Sequence, residues 1–129
     1  MAMDQAFPKS SRICGLGAFS RVFEQGTCVS DTTARVCVLR NDLPTARIGV
    51  AVGRRHGSAA KRNRVKRLCR EAFRLSYERM PGGWDYVIVP HAGREHTLER
   101  MQRSLEKLAL RATQEASSET PGGSRQAKR

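Results

Sequence analysis

Between Arg54 and Arg79 the chain carries ten Lys or Arg against two acids, Glu71 and Glu78. That is a net of +8 in 26 residues, out of a formal +12 for all 129. The chemistry such a run supports is the holding of phosphate. Arginine outnumbers lysine 19 to 5 in the whole sequence, and its planar fork donates two hydrogen bonds at once while staying charged. The order within Lys61-Arg62-Asn63-Arg64-Val65-Lys66-Arg67-Leu68-Cys69-Arg70 is informative too. Stepped at the helical angle, Val65, Leu68, Cys69, Ala72, Phe73 and Ser76 share one arc, which is a stripe to bury. Asn63, Arg67, Arg70 and Arg74 fall opposite, Arg64 and Lys66 flank them, and Lys61 and Arg62 project near the edges of the apolar arc. Solvated charged faces usually mix signs. This one is almost purely positive, so nucleic-acid binding is the expected use.

The residues that could perform acid–base or metal chemistry are sparse. A histidine-based ribonuclease needs two histidines facing one cleft, and His56, His91 and His96 are the whole supply. His91 and His96 fall at a strand exit and a helix entry, where capping and loop roles are expected, and His56 lies among arginines, which suits phosphate contact. Glu71 and Glu78 share the basic helix and are expected to bridge to arginines. Gly15-Leu16-Gly17 follows no strand and so is not a dinucleotide loop. Cys14, Cys28, Cys37 and Cys69 contain no Cys-x-x-Cys pair, which excludes the usual zinc spacing. They read as reduced thiols, with Cys37 and Cys69 acting as small buried hydrophobes. No catalytic constellation and no metal site are expected.

The elements that would position the basic run follow from periodicity. Residues 1–11 read as a flexible segment and 114–129 as a disordered polar tail, leaving one domain over 12–113. Leu16, Phe19, Val22 and Phe23 recur at helical spacing, so Gly17 to Gln25 forms a short helix stopped at Gly26. Thr27 to Asp31 is turn-like. Arg35 to Leu39 and Arg47 to Val52 read as strands, separated by the turn Asn41-Asp42-Leu43-Pro44 and paired as an antiparallel hairpin. In the second of these strands Gly49 and Ala51 leave room for a close approach. Ser58 is the expected N-cap of the basic helix, which Pro81-Gly82-Gly83 ends. A third strand, Asp85 to Val89, and a last helix from Leu98 to Ala112 complete an α-β-β-α-β-α sandwich of the α+β class, a small mixed sheet packed by helices. With no apolar run of membrane-spanning length and no signal-like start, a cytoplasmic location is expected.

The basic segment, read in order from Gly53-Arg54-Arg55 through Lys61 to Arg74, resembles the Arg-Asn-Arg signature of the bacterial ribonuclease P protein subunit. Phe19-x-x-Val22-Phe23-x-x-Gly26 looks like that family's first helix. Arg47-Ile48-Gly49-Val50 and Gly83-Trp84-Asp85-Tyr86-Val87-Ile88 look like two of its strands. The resemblance runs from Arg12 to Ala112. It implies a left-handed βαβ crossover carrying the basic helix, and a non-catalytic protein subunit of an RNA enzyme that removes the 5′ leader from precursor tRNA. Its implied partners are the catalytic RNA and the leader. Mg²⁺ is then required by the RNA-containing holoenzyme, and no cofactor is held by the protein. By matching position, RNA contacts fall to Arg54, Arg55, Lys61, Arg62, Asn63, Arg64, Lys66, Arg67 and Arg70. The single-stranded leader falls to a cleft edged by Phe19 and Phe23, rings for which core packing is an equal expectation. Where the family offers strand aromatics to that cleft, this chain has Ala34 and Cys37. From the residues alone, a ribosome-associated or general RNA-binding protein is the alternative.

Overall fold

The first apolar periodicity becomes helix α1 (Leu16–Gln25) in the computed structural model of the chain, which describes residues 12, 13 and 16–118. The expected flexible segment 1–11, and residues 119–129 of the tail expected over 114–129, lie outside the described residues. Helix α1 ends because Gly26 turns tightly into the sheet, its N–H donating to Val22 O at 2.9 Å. A Cβ at Gly26 would sit 2.3 Å from Val38 O and 2.5 Å from Val22 O, so no other residue fits without moving backbone.

The stretch after Gly26, expected to be a turn, is strand β1 (Thr27–Ser30). It is a short edge strand whose alternation of buried and less buried residues is too brief to stand out in the sequence. The turn comes later, where the Asp31 carboxylate accepts from Thr33 N–H at 2.8 Å and Ala34 N–H at 3.0 Å. Strands β2 (Ala34–Arg40) and β3 (Arg47–Val50) follow as expected, with Asn41 Oδ1 accepting from Leu43 N–H at 2.8 Å in the turn between them.

The hairpin expectation fails. The sheet order is β1-β2-β4-β3, so β4 (Trp84–Pro90) separates β2 from β3, antiparallel to the first and parallel to the second. The reason is burial: every residue of β4 except Val89 is buried, and a strand covered on both faces belongs at the centre of a sheet. Parallel pairing of β3 with β4 requires a long crossover, and the basic helix α2 (Ala59–Ser76) supplies it. The architecture is therefore α-β-β-β-α-β-α, an α+β fold with a four-stranded mixed sheet.

Side chains alternate across this sheet. Val36, Val38, Ile48, Tyr86 and Ile88 face α2 and α3 (Leu98–Ser118), where they meet Phe73, Met101, Leu105 and Leu108. Cys37 and Val87 face the other way, toward Ile13 and Val22 beneath α1. Helix α3 clamps the end of α2 through Glu106, which accepts from Ser76 Oγ and Arg79 Nη2, both at 2.8 Å. Residues 114–118, expected to begin the tail, continue α3.

Cys28 and Cys37 stand opposite one another on β1 and β2 and are joined by a disulfide, against the expectation of reduced thiols. The pairing depends on the β1–β2 register, which was hidden once β1 was read as a turn. Cys69 keeps the expected role of a small buried hydrophobe. Burial pushes its thiol up to about 12, although Arg70 pulls the other way.

Candidate nucleic-acid interface

Helix α2 begins as expected at Ser58, whose Oγ accepts from Lys61 N–H at 3.3 Å. Its first turn holds no acid, although acids are what the positive end of a helix favours. Lys61 and Arg62 stand there instead, so positive side chains add to a positive terminus, an arrangement that favours an incoming anion. The burial matches the wheel except at Arg70 and Arg74, which were expected on the outward face and are half-buried. Cys69, Ala72, Phe73 and Ser76 are buried and Val65 and Leu68 half-buried, while Asn63, Arg64 and Arg67 are exposed on the outer side.

Arg62, Lys66 and Arg70 form a second row, one helical turn apart, and all three are half-buried. The Arg70 guanidinium is held below its ordinary value first by burial and then by the neighbouring charge of Arg12. Two cations brought together in this way are relieved by a phosphate placed between them. Arg74, expected on the outward face, instead donates to Glu71 one turn back, and that hydrogen bond keeps the Glu71 carboxyl low. Arg54 and Arg55 extend the surface from a single 3₁₀ turn, Arg54–His56, and both are exposed.

The histidines are anchored by backbone. Carbonyl oxygens accept, so each imidazole Nε2 must donate: His56 to Pro90 O at 2.9 Å, His91 to Asp31 O at 3.0 Å and His96 to His91 O at 2.8 Å. The structural roles expected of His91 and His96 hold. His56, expected to contact phosphate, donates through Nε2 to the Pro90 carbonyl.

The proposed leader-binding residues lie on the opposite face of the sheet. A Cβ at Gly49 would be 2.6 Å from Phe19 Cζ, so the space left by this glycine is filled by the Phe19 ring. Phe23, one turn on, is 38 % exposed and presents its ring to solvent. Cys37 is wholly buried and committed to the disulfide, which removes it from any ligand-contacting surface. Ala34 cannot line the same cleft, because strand residues three apart point to opposite faces; it is fully buried in the α2/α3 core. Arg35 has the parity of Cys37 and is exposed, so it is a cation on the α1 side of the sheet that sequence reasoning missed. The period-two alternation of β2 was the signal that could have found it.

Several acidic side chains among the described residues are engaged in ion pairs. Among the described residues no three His, Cys, Asp or Glu gather into a group that could hold a metal ion. Asp85 is bound to Arg47 at 2.7 Å, Glu106 to Arg79 at 2.8 Å and Asp31 to Lys107 at 3.3 Å.

Comparison with known proteins places this arrangement. The ribonuclease P protein component of Pelotomaculum thermopropionicum is 39% identical over 97 residues, a match spanning 73% of this chain and 85% of the relative. That of Symbiobacterium thermophilum is 36% identical over 112 residues, spanning 85% and 94%. The solved structure of the RNase P protein from Thermotoga maritima superposes with a TM-score of 0.71 at 27% identity, over 78% of this chain and 96% of that one. The ribonuclease P family model itself matches residues 7–113. A basic crossover helix on one side of the sheet, helix α1 with Phe19 and Phe23 on the other, and a family match across both together establish that the chain belongs to the ribonuclease P protein family.

Proposed function

We propose that this chain, as the protein subunit of ribonuclease P, docks the α2 face on the catalytic RNA and receives the single-stranded 5′ leader of precursor tRNA beside α1. The observation that carries this reading is the charge of the first three turns of α2. Residues 59–70 contain six Lys or Arg and no acid, and the exposed Asn63, Arg64 and Arg67 stand on the side away from the core. Phosphate contacts from such a row position an RNA without reading its sequence. On the α1 side, Phe23 offers a ring for stacking on unpaired bases, which is tolerant of base identity, and Arg35 offers a cation for the backbone.

On this reading the protein supplies no catalytic group. The commitment of His56, His91 and His96 to carbonyl oxygens supports that assignment. Mg²⁺ is a requirement of the RNA-containing holoenzyme, and the subunit works with its RNA partners in the cytoplasm. Reconstitution tests the proposal. Purified protein alone should leave precursor tRNA intact, and adding it to the catalytic RNA should restore 5′ cleavage at low Mg²⁺. Cleavage by RNA-free protein that survives Arg64→Ala would sink it.

A further inference from the structure

Beside the basic face, between the start of α2 and the loop joining β4 to α3, lies a cavity of about 680 Å³. It is lined from α2 by Lys61, Arg64, Val65 and Leu68, from the preceding turn by Arg55 and His56, and from the β4–α3 loop by Arg94, Glu95 and His96. The family signature accounts for Arg64 but not for this loop, which contributes a cation, an acid and an imidazole. The size falls within the roughly 300–1,000 Å³ usual for small-molecule sites.

Three features constrain the occupant. Arg55, Lys61, Arg64 and Arg94 concentrate four positive charges around the cavity, which calls for phosphate. Val65 and Leu68 add half-buried apolar lining, and the His56 and His96 rings stand 6.1 Å apart at a tilt of 37°. A bare phosphate has no use for that apolar and aromatic surface, whereas a nucleobase does. Finally, both rings already donate through Nε2 to backbone carbonyls, and the Glu95 carboxylate at the cavity supplies acceptor oxygens. Acceptors inside a cationic rim match a ligand with an anionic end and amino donors at the other.

We propose that this cavity is a pocket for one unstacked nucleotide of a bound RNA. The rim cations hold its phosphate, and its base lies against His56 and His96 with an exocyclic amino group toward the acceptors. Arg64 belongs both to the outer face of α2 and to the pocket, so an RNA strand lying on that face could turn a single base inward. This inference rests on the RNA-docking reading given above.

The test uses adenosine 5′-monophosphate as the probe on the full chain, followed through the imidazole resonances of His56 and His96. The expected result is saturable shifts of both rings, with affinity at least tenfold above that of ribose 5-phosphate. Arg94→Ala should weaken AMP binding at least tenfold while the amide spectrum shows an intact fold. Equal affinity for AMP and ribose 5-phosphate, or no effect of Arg94→Ala, would overturn the pocket. Competition identifies the natural source. Displacement of AMP by the catalytic RNA alone assigns the nucleotide to that RNA, and displacement only after precursor tRNA is added assigns it to the substrate. AMP that stays bound through both additions overturns an RNA-borne occupant. If the catalytic RNA binds the protein while AMP does not, the pocket fails and the docking reading stands. If the catalytic RNA does not bind at all, the docking reading fails whatever AMP does.

Discussion

Arg67 and Cys69 sit two residues apart on α2 and define its two sides. Arg67 is exposed on the outer crest, and its loss should remove a phosphate contact without disturbing the core. Arg67→Ala is expected to cost about 1.5–3 kcal/mol of affinity for the catalytic RNA and to flatten the logarithmic salt dependence by about one unit. Filter binding across a salt series measures both, and an unchanged slope would remove Arg67 from the interface. Cys69, wholly buried with its thiol pushed up to about 12, should resist alkylation until the protein unfolds. Cys28 and Cys37 should resist until reduced, and Cys28, the less buried of the two, should then react first. Peptide mapping by mass spectrometry, site by site, reads this order. Prompt labelling of Cys28 without reductant would mean that the disulfide is not formed.

At the scale of elements, two glycines that look alike in sequence do different work. Gly49 makes room for the tip of the Phe19 ring, a side chain that can swing aside. Gly26 is pressed against carbonyl oxygens of Val22 and Val38, which cannot move without displacing α1 from β2. Gly49→Ala is therefore expected to destabilise by about 1–3 kcal/mol and to shift Phe19 within the cleft. Gly26→Ala should cost more than Gly49→Ala, as urea denaturation of the two variants would show. The same two positions mark how much was legible beforehand. Gly26 was readable as a helix stop, and Gly49 as a place of close approach, because local spacing carries that information. That the approaching group is Phe19 was not readable, since it depends on which face of β3 meets α1. The basic helix and its N-cap were legible for the same local reason. The neighbours of β3 were not: turn residues between β2 and β3 suggest a hairpin, and only the two-sided burial of β4 decides against it.

For the whole molecule, the loop between β1 and β2 ties the sheet to α3 through Asp31. Burial raises its carboxyl, but the N–H groups of Ala34 and Thr33, with Ser104 and Lys107, together outweigh burial and leave it lowered. A folded value below the unfolded one, about 3.9, means that this stabilisation is complete above the unfolded value and is lost as pH falls through the folded one. Asp31→Ala should thus lower stability at pH 7, and the gap from the unaltered protein should shrink as the pH is taken below about 4. Urea unfolding at pH 7, 5 and 3 checks this; a gap that stays constant to pH 3 would separate Asp31 from acid unfolding. The site was only partly legible at this scale. The charge of α2 was plain in the sequence, but the meeting of His56 with His96 across 40 residues required the β4–α3 loop to fold back beside the start of α2.

The central place of β4 also bears on how the chain is made. Strand β3 leaves the ribosome early, but its ladder partner ends at Pro90, and α2 lies between them. The helix with the highest charge density is therefore synthesised before the strand that closes its crossover and before α3, whose Glu106 clamps its end. Its like charges repel throughout that interval, and an RNA strand already present would screen them. The order of synthesis thus gives the basic helix an opportunity to meet nucleic acid before its own sheet is complete.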